Sequence, residues 1–464
     1  MKIKTLWTDA DTEVANLTAD ISQYQEKLAA LTRRLYSKRM ERNDYKVILS
    51  PLRRLPYDVL CEVFLSSLYD IPDSRSSSTI ITDTPWTLTH VSSHWRSVAL
   101  SFPQLWSTIR VTGTGYCFPL LKVQLERSGS YPLSISLIQG DFRCCWTAIE
   151  DIPVILQKLM SLSPRWRTLH IFFDEPAAFT ILSYTPLQLH SLTSVSIRTT
   201  RRMTSPWDFT GIDEDSKPHP LMSTLFQDCP SLRTLGGQPH ALSACSLPWT
   251  QINKYECNSL WYLQHYLKLL TLLPNLQECH ICSDPTCSPL DFFQDNGQTG
   301  TSNQIVLRHL EYLTLSETSR LRVPWHSKTV KSLFNHLTLP SLTTLKLDRT
   351  LLALKANSLT QFFSRSQCPL ATLDLKISNL SDGDCLGILE ALPTLITLIL
   401  TRSSIRTIDF LGQVILKPTL VPLLQLVEIL YSAKERYDSV DFSMLKIARP
   451  SLRLRQVRRR EVTI

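Results

Sequence analysis

Near the amino terminus Val14, Leu17, Ile21, Tyr24, Leu28, Leu31 and Leu35 follow one another in steps of three and four. That spacing is the a/d pattern of a heptad repeat, and it predicts one amphipathic helix of about 25–30 residues. Three heptads with a tyrosine at one core position are marginal as an isolated helix. Three arrangements are open for the segment. It forms a homodimer through residues 14–35, folds back onto the next domain, or stands as a single helix.

The run from Leu49 to Val111 has a different texture. Pro56 stands where a helix would begin, and Val59, Leu60, Val63, Phe64 and Leu68 recur on one helical face behind it. Thr84 and Pro85 are the candidate cap and first residue of a second helix carrying Leu88, Val91, Trp95 and Val98. Between them the polar stretch Asp70 to Asp83 lacks periodicity and reads as a flexible insertion. About 60 residues this rich in large apolar side chains cover their own apolar surface poorly, which points to a partner.

Farther on the period changes from helical to alternating. Residues 107–111 and 133–137 alternate β-branched or aliphatic with polar residues and predict strands, and Asp151 to Leu162 predicts a helix. From residue 164 one template recurs, P-x-L-x-x-L-x-L: PRWRTLHI, HSLTSVSI, PSLRTLGG, PNLQECHI, RHLEYLTL, PSLTTLKL, PTLITLIL and the shorter PLATLDL. One matched inward position from each, with weaker copies included, gives Leu169, Val195, Leu235, Tyr255, Cys279, Leu313, Leu345, Leu373, Leu398 and Ile429. Units that cannot bury their own inward face must stack, so the pattern predicts a solenoid with parallel strands on one side. Apolar stretches such as Leu260 to Leu273 and Ser358 to Arg365 suit outer helices, and the inserts 199–220 and 283–304 suit loops.

The fold class expected is therefore α/β. Residues 1–48 are an amphipathic helix, 49–111 a small helical domain, 112–163 linking strands and a capping helix, 164–455 the solenoid, and 456–464 a basic tail.

Composition adds a few exclusions. The chain has 464 residues, too many for one compact core, and only 12 glycines, which argues against phosphate-cradling loops. Its net charge of +8 is concentrated before Arg54 and after Arg449. Solvated helix faces and a frayed tail explain those knots better than nucleic-acid binding, since no aromatic residues are interleaved in the tail. The first residues lack the apolar core of a signal peptide, and the 12 cysteines are scattered, which fits reduced thiols in the cytoplasm or nucleus. No apolar run reaches membrane-spanning length.

No constellation nominates a catalytic residue. Cys279, His280, Cys282 and Cys287 come nearest to a metal motif, but a second spaced pair is missing and Cys279 falls on an inward strand position. Cys144-Cys145 lacks redox spacing, Gly113-Thr114-Gly115 is not completed to a nucleotide fingerprint, and Asp213-Glu214-Asp215 reads as a solvated loop. Neither a cofactor nor a metal is expected.

Leu55-Pro56, Asp58-Val59-Leu60, Val63-Phe64, Trp95-Arg96-Ser97-Val98-Ala99 and Phe102-Pro103-Gln104-Leu105-Trp106 together resemble an F-box, of the kind abundant in mushroom-type (basidiomycete) fungi. The departures are the Ser-rich insertion and Ser93 where a cysteine is frequent. The repeats resemble the degenerate leucine-rich repeats that commonly follow an F-box. The resemblance implies a three-helix domain docking on a Skp-family adaptor, and through it on a cullin-RING ubiquitin ligase. Implied docking residues are Leu52, Leu55, Pro56, Val59, Leu60, Val63, Phe64, Val91, Trp95 and Leu105, about half of which should be the domain's own core. A protein substrate would be read by Glu278, His280, Tyr312, Thr314, Lys346, Asp348, Asp374, Lys376, Thr397 and Ile399, which stand between the inward residues of the template. The rival expectation is a repeat scaffold that binds partners without recruiting a ligase; an enzyme is not expected.

Overall fold

The computed structural model describes residues 2–49, 51–69, 84–112, 118–138, 152–172, 187–198, 225–243, 245–257, 263–283, 304–317, 333–348, 356–376, 382–402, 414, 417, 419–431 and 452–458. It divides into two compact units, the described residues up to Leu105 and those from Trp106 onward. The insertion 70–83, Gly113 to Gly115, Cys144-Cys145, Asp213 to Asp215, Cys287 and the tail beyond 458 lie outside the described residues.

The first unit begins with α1, Lys2–Ile48, nearly twice the length the heptad stripe predicts. The reason is in the sequence. No glycine or proline occurs before Pro51, so nothing interrupts the ladder after the stripe ends at Leu35. Its side chains do not fold back on the unit: the stripe residues from Val14 to Leu35 are all 51–66% exposed.

A 3-10 turn, Pro51–Arg54, leads to α2, Tyr57–Tyr69. Pro56 caps it through its carbonyl, which accepts the Leu60 N–H at 3.0 Å, and Asp58 in the first turn faces the positive end of the helix dipole. The single helix predicted from Thr84 to Val98 is broken in two. A 3-10 helix, Trp86–His90, precedes α3, Ser93–Leu100. Ser92 causes the break: with extended backbone, its hydroxyl accepts the Trp95 N–H at 3.1 Å, a cap that outcompetes helix continuation.

Among the described residues of the second unit thirteen parallel strands form one sheet in which each strand pairs with the next along it. They are β1 Thr108–Thr112, β2 Leu133–Ile138, β3 Trp166–Phe172, β4 Ser194–Arg198, β5 Thr234–Gly237, β6 Lys254–Cys257, β7 Glu278–Ser283, β9 Tyr312–Glu317, β11 Thr344–Asp348, β12 Thr372–Lys376, β13 Thr397–Arg402, β14 Leu426–Tyr431 and β15 Arg453–Arg458. Two short strands, β8 Ile305–Val306 and β10 Leu337–Thr338, pair separately. This is solenoid-like connectivity.

The register follows the sequence template from Leu169 through Val195, Leu235, Tyr255, Cys279, Leu313, Leu345 and Leu373 to Leu398. It then passes to Val427, so Ile429 is two residues out of step and pairs with Leu400. Both residues fall on the same side of the strand, which is why alternation alone does not separate them. The sheet also starts earlier than residue 164: Ile109 pairs with Ile135, and Ile135 with Leu169. Residues 108–112 thus belong with the repeats, and 453–458 are a strand of the sheet, not tail.

Six of the junctions among the described residues are built alike. Buried Leu189, Cys229, Leu273, Leu339, Leu392 and Val421 accept, through their carbonyls, the N–H of the buried leucine three residues on. The template therefore begins one residue before the proline. The residue after the proline reaches back one repeat: Asn275 donates to the Thr250 carbonyl, Ser341 to Arg308 and Thr394 to Leu370. Arginines clasp other turns, Arg165 donating to the carbonyls of Ser128 and Tyr131, and Arg365 to those of Phe334 and Leu337.

One core position carries an aromatic residue where its register neighbours are aliphatic or cysteine. Tyr255 is fully buried, and its hydroxyl donates to the Gly237 carbonyl at 3.1 Å. Gly237 has φ +109°, and a Cβ there would lie 1.9 Å from the Ile197 carbonyl oxygen. Only glycine permits both the left-handed backbone and the close approach.

Candidate interaction surfaces

In the first unit the ten docking residues divide. Leu60, Phe64 and Leu105 are fully buried and Trp95 is 8% exposed, so these four are the unit's own core. The Phe64 and Trp95 rings meet at 5.2 Å, tilted by 59°. Trp95 Nε1 donates to the Leu52 carbonyl at 3.4 Å, and Arg96 Nε to the Thr89 carbonyl at 2.8 Å. The Trp-Arg pair thus ties the segment before α2 and the 3-10 helix to α3. Leu60, Phe64, Trp95 and Leu105 are thus among the half expected to be the unit's own core, because packing within so small a unit consumes its largest side chains.

The other six face outward. Leu55 is half-buried and Pro56 exposed, while Leu52 and Val91 are 56% and Val59 and Val63 40% exposed. Val59 and Val63 are one helical turn apart on α2, and Tyr57 and Leu49 are exposed as well. Tyr57, Val59 and Val63 thus give α2 exposed apolar side chains, the kind of surface a partner covers.

In the second unit alternation along each strand sends one set of side chains into the core and the other to the open face. His280, Thr314, Lys346, Asp374 and Ile399 form one row across β7, β9, β11, β12 and β13. Glu278 and Tyr312 lie in the row on one side of it, which Thr397 continues, and Asp348 pairs with Lys376 in the row on the other. The template therefore brings the ten residues together on one face. One needs correction: Asp374 is buried, 5% exposed, its register neighbours being the longer Lys346 and Ile399.

The face has internal order. Lys254 Nζ lies 3.0 Å from Glu256 and 3.4 Å from Glu278, and His280 Nε2 is 3.6 Å from Glu278. Hydrogen bonding to Glu256 holds the Lys254 ammonium above its ordinary pKa. The His280 and Tyr312 rings meet at 5.1 Å, and Lys346 Nζ sits 5.0 Å over the Tyr312 ring. Cations, carboxylates and an aromatic ring alternate here, so the surface suits a polar protein partner carrying both signs of charge. Sequence reasoning misses Lys254 and Glu256 because the repeat around residue 252 is a weak match, although the same alternation places them.

Near the other end of the sheet His170 stands on the open face of β3. Crowding by the sheet pushes its imidazole below the ordinary pKa, with repulsion from Arg198 and Arg110 adding to it. Alternation also decides the cysteine motif. Cys279 is buried in the core, where desolvation pushes its thiol to about 12, while His280 points to the open face. Among the described residues no group of three or more histidine, cysteine or acidic side chains could hold a metal ion, and no helix is long and apolar enough to cross a membrane. Against known proteins, no family model matches the chain, and a search of curated proteins finds no relative.

Proposed function

We propose that the chain is the substrate-recognition subunit of a cullin-RING ubiquitin ligase: an F-box domain up to Leu105 docking on a Skp-family adaptor, and a leucine-rich-repeat solenoid holding a protein substrate. The observation that supports this best is the exposure of Leu52, Pro56, Val59, Val63 and Val91, apolar residues at F-box positions that their own unit leaves uncovered. The chain would form no bond itself. Its contribution would be geometric, holding the substrate at high effective concentration beside the charged conjugating enzyme. The mixed-charge surface from Lys254 to Lys346, which spans two neighbouring rows, is the substrate surface in this reading.

Co-expression with a Skp-family adaptor tests it. The wild-type chain should co-purify with the adaptor, and Val59→Asp/Val63→Asp should abolish capture while the sheet unfolds as before, because both side chains lie in the first unit and are partly exposed there. A well-folded wild-type chain that captures no adaptor overturns the ligase reading. It leaves the repeat scaffold in its place.

A further inference from the structure

The heptad stripe of α1 extends beyond the residues that first reveal it. Ile3, Trp7 and Ala10 continue the same register toward the amino terminus, so every a and d position from 3 to 35 is apolar. All of the large side chains among them are 51–84% exposed. A helix with such a stripe needs an occupant, and the flanking charges identify it.

The charges are polarised along the helix. Residues 9–26 carry Asp9, Asp11, Glu13, Asp20 and Glu26 and no lysine or arginine, whereas residues 27–46 carry seven cations against Glu41 and Asp44. A second copy running the opposite way lays acidic half on basic half. A copy running the same way lays like on like.

The heptad positions sharpen this. With Val14 at a, the g positions are Glu13, Asp20, Lys27 and Arg34, and the e positions Asp11, Thr18, Gln25, Thr32 and Arg39. In a parallel pair each g residue meets the e residue five later on the other helix. That yields Glu13 with Thr18, Asp20 with Gln25, Lys27 with Thr32 and Arg34 with Arg39, none of them an opposite-charge pair; one such pair, Glu41 with Lys46, follows beyond the end of the apolar stripe. In an antiparallel pair g meets g. When Val14 packs on Leu31, Leu17 on Leu28 and Ile21 on Tyr24, Glu13 meets Arg34 and Asp20 meets Lys27, and two-fold symmetry repeats both pairs. Sliding by one heptad in either direction sets Asp20 against Asp20 or Lys27 against Lys27. One alignment is therefore selected; its like-charged pair, Lys4 with Arg39, falls at the ends. The two helices overlap over residues 2–43, about 63 Å at 1.5 Å per residue, with apolar layers over residues 10–35 and Trp7 and Ile3 set against the stems of Lys38 and Arg42.

We infer that α1 is an antiparallel homodimerisation helix, with Leu17 packing on Leu28 of the second copy and Glu13 and Asp20 pairing with its Arg34 and Lys27. The inference does not depend on the ligase reading, since it uses only α1. Antiparallel pairing would set the rest of the two chains at opposite ends of the helical rod.

The full chain serves for the test, with mass measured by light scattering or sedimentation. The wild-type chain should be a dimer at micromolar concentration, and Leu17→Asp/Leu28→Asp a monomer whose sheet unfolds as before. Glu13→Lys/Asp20→Lys and Lys27→Glu/Arg34→Glu should each self-associate roughly ten- to a hundredfold more weakly. Mixed together, those two variants should form a heterodimer. A monomeric wild-type chain overturns the inference. So does a tighter dimer of Lys27→Glu/Arg34→Glu, because in a parallel pair the carboxylate introduced at position 34 would attract Arg39.

Discussion

The two units place periodic apolar residues in opposite circumstances. In the sheet Leu313, Leu345, Leu373 and Leu398 repeat at strand spacing and are at most 1% exposed, each covered by the next repeat. In the first unit the α1 stripe repeats at helical spacing and remains mostly in water, and Val59 and Val63, also at helical spacing, are 40% exposed. Periodicity locates a face in both cases. Only the sheet carries its own cover, because each repeat supplies the neighbour that the preceding one lacks.

That contrast can be broken most severely at Gly237. Gly237→Val would force a side chain onto the Ile197 carbonyl in a left-handed backbone, and a loss on the order of 4 kcal/mol is expected in denaturant unfolding of the sheet. Leu345→Ala should cost about 2–5 kcal/mol by leaving a cavity between repeats. Its counterpart Val63→Ala, equally apolar but exposed, should change stability by no more than about 0.5 kcal/mol. A loss of stability at Val63 comparable to that at Leu345 would show that both faces are covered and end the comparison. Tyr255→Phe sharpens the sheet side: removing the hydroxyl leaves the buried Gly237 carbonyl without that donor, at about 1–2 kcal/mol.

The smallest effect is that of pH. His170 has a depressed folded-state pKa, so protonation favours the unfolded chain. Its contribution is fully present above its ordinary pKa of about 6.5 and falls as the pH drops below it. Solvent exposure on the open face limits its size. His170→Gln should flatten the decline of the unfolding midpoint between neutral and mildly acidic pH; an unchanged slope would assign the decline to other groups.

Much of the sheet is legible in the sequence because alternation is local. Leu313 and Leu345 can be matched by spacing alone, and parallel pairing preserves the match. Ile109 and Ile135 read as strands but not as repeats, since their segments lack the leucine lead that marks later copies. The stripe understates the length of α1 because it ends at Leu35 while the helix continues through Tyr36 to Ile48 on propensity and on the pairs Glu41 makes with Lys38 and Tyr45. In the small helical unit sequence does not separate Leu60 from Val59: adjacent apolar residues on α2 point to different faces, and which face is inward depends on α3. On the open face the template finds Glu278 and Tyr312 but not the burial of Asp374, which depends on what lies across from it.

The buried cysteines of the repeats have a use that follows from their chemistry. Burial pushes the thiols of Cys229, Cys245 and Cys279 to about 12, so each holds roughly a thousandfold less thiolate than an open thiol at neutral pH. An alkylating reagent meets them only when a repeat parts from its neighbour. The rates at which these three sulfurs are modified, read one by one by mass spectrometry, would time the opening of successive turns of the sheet with the native chain as its own clock.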